Sequence, residues 1–185
     1  MTFAVHDCGF TARSALEHDD AGESRYNKIL RIIRACRFGI HDISRVELDR
    51  STRLPRFNMP LELGLFLGAR SFGASRDRMK RCLVLEREPY RYQSFCSDIA
   101  GQDIRAHGGE PETAVRIVRD WLSISTTREV IVPSGSIIVR RYRAYQRELP
   151  DWCKRQQLVP NELTFKDETR LIALWLKANP WSTAV

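Results

Sequence analysis

The run Arg56-Phe57-Asn58-Met59-Pro60-Leu61-Glu62-Leu63-Gly64-Leu65-Phe66-Leu67-Gly68-Ala69 holds one charged side chain in the ten positions from Pro60 to Ala69. Helical spacing sets Glu62 on the face of Leu65, Phe66 and Ala69. A helix this apolar belongs in a core, and a buried carboxylate without compensation costs several kcal/mol. Glu62 therefore needs a partner, a helix dipole or a pocket. Pro60 suits a first helical turn, Asn58 suits an N-cap, and Glu62 then falls in or just beyond the first turn, where the dipole favours an anion. The plainer reading of Glu62 is an acid that complements that dipole. A second acid, Asp42, closes the strand-like run Arg37-Phe38-Gly39-Ile40-His41-Asp42-Ile43.

Other combinations carry less chemistry. His6, His18, His41 and His107 show no metal-ligand spacing, so no metal is expected. Cys8 beside Asp7, with His6 or His41 as base, is a conceivable nucleophile, although buried free cysteines are usually inert. There is no glycine-rich phosphate loop and no dinucleotide fingerprint.

These residues need elements to hold them. Thr2–His6 reads as a strand, Asp7–Ser24 as a long loop, and Arg25–Arg37 as a helix capped by Ser24, with Ile29, Ile32, Ile33 and Cys36 on one face. Strands follow near 38–43, 81–86 and 103–107, with the Glu62 helix between the first two of these. The run Cys82-Leu83-Val84-Leu85 has the unbroken apolarity of a parallel strand covered on both faces. A weaker helix is expected over Tyr92–Ala100 and an amphipathic one over Glu110–Ser123. Alternation at this spacing implies βαβ units. The expected fold is α/β: a flavodoxin-like parallel sheet of about four to five strands flanked by helices, with a C-terminal helical extension. Residues 1–130 are expected to form the sheet domain and 131–185 the extension. In the extension, Ser134 opens a helix that Pro150 breaks at Leu149, and a last helix begins at Thr164 or Asn161 and runs through Asn179. Residues 129–133 read as a linker or short strand. Ligands of such sheets sit beyond the carboxyl ends of the strands, at a reversal of strand order. Three segments are expected to meet there: the loop after Val5, with Asp7 and Phe10; the loop after Asp42; and the turn carrying Glu62.

Composition narrows the classes. A 185-residue chain with 43% hydrophobic and 29% charged residues makes one domain of ordinary size plus an appendage. No window nears the roughly 18–20 apolar residues of a membrane span. The N-terminus MTFAVHDCGF lacks the pattern of a secretory leader. Five widely spaced cysteines fit a reducing cytoplasm. The net charge of +7 is scattered: residues 1–133 carry 21 basic and 18 acidic side chains, residues 134–185 carry 9 and 5. A nucleic-acid partner is therefore disfavoured. The arginine-lined helix after Ser134 also suits a self-association or partner surface.

The stretch from Cys36 to Gly68, with its strand ending in Asp42, its arginine-rich loop and the Asn58-x-x-x-Glu62-Leu63-Gly64 core, resembles the prokaryotic TIR-like nucleotide-binding families. It is similar also to their relatives, the nucleoside 2-deoxyribosyltransferases. The likeness covers roughly residues 1–122. It implies that Glu62 is the catalytic glutamate, Asp42 the acid closing a strand, and Asn58 the turn residue before the helix. The implied reaction cleaves the N-glycosidic bond of a ribonucleotide such as NAD through an oxocarbenium-like transition state. NAD would be substrate or ligand, and no separate cofactor is implied. Asp42 would accept from a ribose hydroxyl, Arg56 or Arg13 would meet phosphate, and Phe10 or Phe57 would stack on a base. The alternative is a non-catalytic module that senses a nucleotide and self-associates or relays to a partner.

Overall fold

The computed structural model describes residues 1–17, 20–51, 53–55, 57–125 and 131–181. In chain order its elements are α1 (Thr2–Asp7), α2 (Arg25–Ala35), β1 (Phe38–Asp42), α3 (Asn58–Phe72), α4 (Ser75–Arg78), β2 (Arg81–Glu86), β3 (Arg105–Ala106), α5 (Pro111–Ser125), α6 (Gly135–Arg155) and α7 (Phe165–Ala178). Arg56, His18 and residues 129 and 130 of the 129–133 segment lie outside the described residues. The chain divides into two compact units, residues 21–114 and residues 1–20 with 115–185. This is not the expected division at 130. The N-terminal residues group with the C-terminal helices, and the division falls inside α5.

Unit 21–114 is α/β. Its sheet is parallel throughout, in the order β1-β2-β3. Phe38 pairs with Arg81 and Asp42 with Leu85 at the two ends of the β1–β2 register, while Leu85 and Glu86 pair with Arg105 and Ala106. Three strands are described where four to five are expected. They follow chain order, so the described sheet has no reversal of the kind expected to open a crevice. One face buries Ile43, Leu63, Val84 and Tyr92, flanked by Met59, Leu67, Cys82, Phe95, Ile99 and Ile104. On α3 the inward residues 59, 63, 66 and 67 keep helical spacing. The opposite side of α3 is not covered: Leu61 is 57% and Phe72 92% exposed. The expectation of a helix buried all round is thus corrected, because only the sheet-side stripe finds apolar partners.

Both ends of α2 are satisfied. Ser24 Oγ accepts from the Asn27 N–H at 3.2 Å, the cap expected from the sequence. At the other end the buried Lys80 ammonium donates to the carbonyls of Ile33 at 2.6 Å and Cys36 at 2.7 Å. Asp77 lies 3.2 Å from the same ammonium. Terminal helix carbonyls lack partners of their own and welcome a cation. The helix expected over 92–100 is instead two short 3₁₀ turns, Arg91–Ser94 and Ser97–Ile99.

The second unit is helical, and here the N-terminal expectation fails. Residues 2–7 form α1, not a strand. A short apolar stretch fits either state, and packing decides. Phe3 lies 5.2 Å from the Tyr145 ring, 5.6 Å from Trp175 and 5.7 Å from Tyr142. Phe3, Tyr145, Ile172 and Trp175 make one buried cluster. Helical spacing lets Phe3 and Asp7 turn inward together, which alternation along a strand would also allow, but Ala4 is buried as well. Pro150 does not end its helix; α6 continues to Arg155. An interior proline costs about 3 kcal/mol, and burial of Tyr145 before it and Cys153 after it offsets that cost. The final helix α7 opens on a reciprocal cap, in which Thr164 Oγ1 accepts from the Asp167 N–H and Asp167 accepts from the Thr164 N–H.

Candidate functional site at the carboxyl ends of the strands

Strand alternation separates Asp42 from its neighbours. His41 packs edge-on against Phe66 of α3 at 5.2 Å, and Ile43 joins the core cluster containing Leu63. Asp42 therefore leaves β1 on the face away from α3. The Ser44 N–H donates to Asp42 Oδ1 at 3.1 Å and holds the carboxylate in place. Asp42 pairs with Leu85 and Leu85 with Arg105, so His107, two residues beyond Arg105, falls on the same face. His107 Nδ1 accepts from the Gly109 N–H at 3.0 Å. That acceptance leaves the ring proton on Nε2, and Nε2 lies 3.5 Å from Asp42 Oδ1. The turn requires positive φ at Gly108 (65°) and Gly109 (81°), a conformation that glycine adopts without strain.

Beside this pair, Glu86 ends the central strand with no exposed surface. Its Oε1 accepts from the Arg87 N–H at 2.5 Å, and from Arg91 through Nε at 3.2 Å and Nη2 at 2.7 Å. Arg91 Nη2 also donates to the Ser44 carbonyl. Glu86 Oε2 is buried and meets no described partner. Through Ser44, the Asp42–His107 pair and the Glu86–Arg91 pair form one network spanning the ends of β1, β2 and β3. The sequence reading did not single out Glu86, Arg91 or His107 for this place. The signals were present: an acid closing an apolar run at Leu83-Val84-Leu85-Glu86, and Gly-Gly directly after a histidine.

Glu62 is the fifth residue of α3, because the helix begins at Asn58. Phe57 occupies the cap without a side-chain bond, so the expected Asn58 cap is corrected and Glu62 lies in the second turn, past the strongest part of the dipole. Its carboxyl is half-buried. Burial pushes its pKa up, and the charge of Arg25 partly opposes the rise. Among the described residues Glu62 makes no hydrogen bond or ion pair, and none joins it to Asp42. Asp7 and Phe10 belong to the helical unit. The strand expected to lead into them is the helix α1. Asp7 is buried; it accepts from Arg141 Nε at 3.0 Å and from Trp181 Nε1 at 2.9 Å. Burial first, then the charge of Asp7, pushes the Cys8 thiol up to about 12. A thiol held there supplies no thiolate near neutrality, and the Cys8 nucleophile is set aside.

Among the described residues no group of three or more His, Cys, Asp or Glu is arranged to hold a metal ion. No described helix is long and apolar enough to cross a membrane. Comparison with protein-family models, with curated proteins and with solved structures returns no match.

Proposed function

We propose that unit 21–114 binds a ribonucleotide such as NAD and hydrolyses its N-glycosidic bond, with Glu62 as the carboxylate that stabilises or attacks the anomeric carbon. The observation that carries this reading is the half-buried Glu62 carboxyl, on an otherwise apolar stretch of α3, with no hydrogen bond or close ion pair among the described residues, the charge of Arg25 acting on it from further off. A partly desolvated anion interacts strongly with the positive charge that grows on the ribose ring as the bond breaks. Nicotinamide departs neutral, so one carboxylate suffices without a general acid. Asp42, with one oxygen already bonded to Ser44, is suited to accept from a ribose hydroxyl through the other. In this reading the parallel sheet is the described part of a flavodoxin-like, TIR-like arrangement. The setting is the cytoplasm, which the five free cysteines suit.

A second reading has its own support. Leu61 and Phe72 are large, apolar and exposed on the outer side of α3, which favours a nucleotide-sensing module that self-associates. Incubating the full chain with NAD and following nicotinamide release decides between the two. Release that Glu62→Gln abolishes supports hydrolysis. Nucleotide-dependent assembly of the wild-type chain, with no release, supports sensing.

A further inference from the structure

Arg91 is pinned along one edge of its guanidinium, whose carbon lies 5.8 Å over the Phe95 ring. Nε and Nη2 are spent on Glu86 and on the Ser44 carbonyl, while Nη1 meets no acceptor among the described residues. The Arg91 side chain keeps about a quarter of its surface in solvent, whereas the Glu86 side chain paired with it keeps 1%. A carboxylate buried behind an arginine fixes the plane of its donor fork, so little freedom remains to be lost when an anion binds in front. Tyr90, the adjoining residue, is 73% exposed and holds φ at 63°. A bulky side chain in the left-handed region is strained, and this strained, exposed tyrosine immediately precedes Arg91 in the chain. An exposed aromatic residue next in sequence to a pinned arginine suits a heterocycle joined to a phosphate.

We infer that Arg91 is a phosphate-binding residue for a nucleotide, with Tyr90 contacting the base or sugar of the same ligand. This deepens the ribonucleotide reading and rests on it for the ligand class. Neither residue was singled out by its position in the sequence; of the two phosphate candidates named there, Arg13 pairs with Glu17 and Arg56 lies outside the described residues. Glu86 acts through Arg91 as a positioning residue.

The test is calorimetric titration of the full chain with AMP, adenosine and inorganic phosphate. The wild type is expected to bind AMP at least about tenfold tighter than adenosine, with inorganic phosphate competing against AMP. Arg91→Lys keeps a cation beside Glu86 but loses the planar outward edge, and is expected to erase the AMP margin while leaving adenosine affinity unchanged. Should Arg91→Lys fail to fold in a thermal melt, the neutral pair Glu86→Gln with Arg91→Gln replaces it and is expected to erase the same margin. Tyr90→Ala is expected to weaken AMP and adenosine alike. Equal binding of AMP and adenosine by the wild type, absence of AMP binding, or a folded Arg91 variant with an undiminished margin each overturns the inference. An AMP margin lost in Arg91→Lys, without nicotinamide release from NAD, supports this site and overturns the hydrolase reading. Nicotinamide release without any AMP margin does the reverse.

Discussion

His107 presents its two ring nitrogens to different tasks: Nδ1 accepts from the Gly109 N–H at 3.0 Å, and Nε2 stands 3.5 Å from Asp42 Oδ1. The first contact shapes the turn into α5; at the second, Nε2 is buried without a hydrogen bond among the described residues, with the carboxylate that ends another strand as its near neighbour. With Nδ1 occupied, His107 is placed to position Asp42 rather than to act as a base on a substrate. Two substitutions separate the tasks. Asn at this position reproduces the Nδ1 acceptor, and Gln reproduces the Nε2 donor. If Asp42 contacts the ribose and Nε2 closes the 3.5 Å gap to it in the bound state, His107→Gln should retain most nucleotide affinity while His107→Asn loses about three- to tenfold, the value of a modest hydrogen bond. The reverse order would assign His107 to the turn alone.

The Glu62 carboxyl gives a prediction whose sign discriminates. A dipole-complementing acid stabilises the fold, so its neutralisation costs up to about 1 kcal/mol. A carboxyl whose pKa burial has raised does the opposite. The folded state then holds the proton more tightly than the unfolded chain. Its unfavourable contribution grows as pH rises from the ordinary carboxylate range through the raised value, and is fully present above it. Glu62→Gln should therefore leave the melting temperature at neutral pH unchanged or raise it slightly. NAD turnover, by contrast, should fall by about two orders of magnitude or more, with much of the ground-state binding kept. In the wild type, turnover should decline as pH falls through the raised Glu62 value, because only the ionised carboxylate opposes the developing positive charge. A lower melting temperature in Glu62→Gln together with undiminished turnover would return Glu62 to a structural role.

The parallel sheet is legible in the chain because Cys82-Leu83-Val84-Leu85 has no polar interruption, which only a strand covered on both faces tolerates. The caps at Ser24 and Thr164 are legible because a hydroxyl before a helical run has a local use. Other features depend on residues distant in sequence. The choice of helix for Thr2–Asp7 rests on Phe3 meeting Tyr145 and Trp175, about 140 and 170 positions away. Pro150 signals a break by local rules, yet aromatic and thiol burial on both sides carries α6 through it. In the candidate site, Asp42 and Glu62 stand out by type. The Asp42–His107 and Glu86–Arg91 pairs follow from strand register and from the turn after β2, which composition does not reveal.

His41 makes the sheet unit sensitive to acid. It is buried against Phe66 with Nε2 unpartnered, and burial lowers its pKa to about 4. Between that value and the ordinary one near 6.5, the unfolded chain takes up a proton that the folded chain refuses. Stability contributed by neutral His41 is therefore whole above about pH 6.5 and drains as pH falls towards 4, by roughly 3 kcal/mol across the window. Urea unfolding at pH 7.5 and 4.5 should show a smaller acid loss in His41→Leu than in the wild type. An equal loss in both would mean that His41 does not carry the effect. The same pocket constrains Gly39, where an added Cβ would stand 2.7 Å from Phe66 Cε2 and 2.8 Å from His41 Nε2. Gly39→Ala should cost about 1–3 kcal/mol through overpacking, measured by urea unfolding at neutral pH.

Asp7 offers the corresponding test in the helical unit. Its side chain is 1% exposed, accepts from Arg141 and Trp181, and is fixed there by a guanidinium that also donates to the Asn179 carbonyl at 2.8 Å. The same guanidinium lies 5.2 Å over the Trp175 ring. Asp7 thus ties α1 to α6 and to the segment after α7, and its acceptor capacity is largely used within the chain. Asp7→Ala should leave the partly buried Arg141 without its carboxylate and cost about 3 kcal/mol. Arg141→Met should cost a similar amount by stranding Asp7. The double variant should be less destabilised than the sum of the two, by about 1–3 kcal/mol, because neither charge is then left alone. Where the single variants remain folded, nucleotide affinity per folded molecule should match the wild type. Additive costs together with lost affinity in Asp7→Ala would instead make Asp7 a ligand-binding residue, as the sequence first suggested.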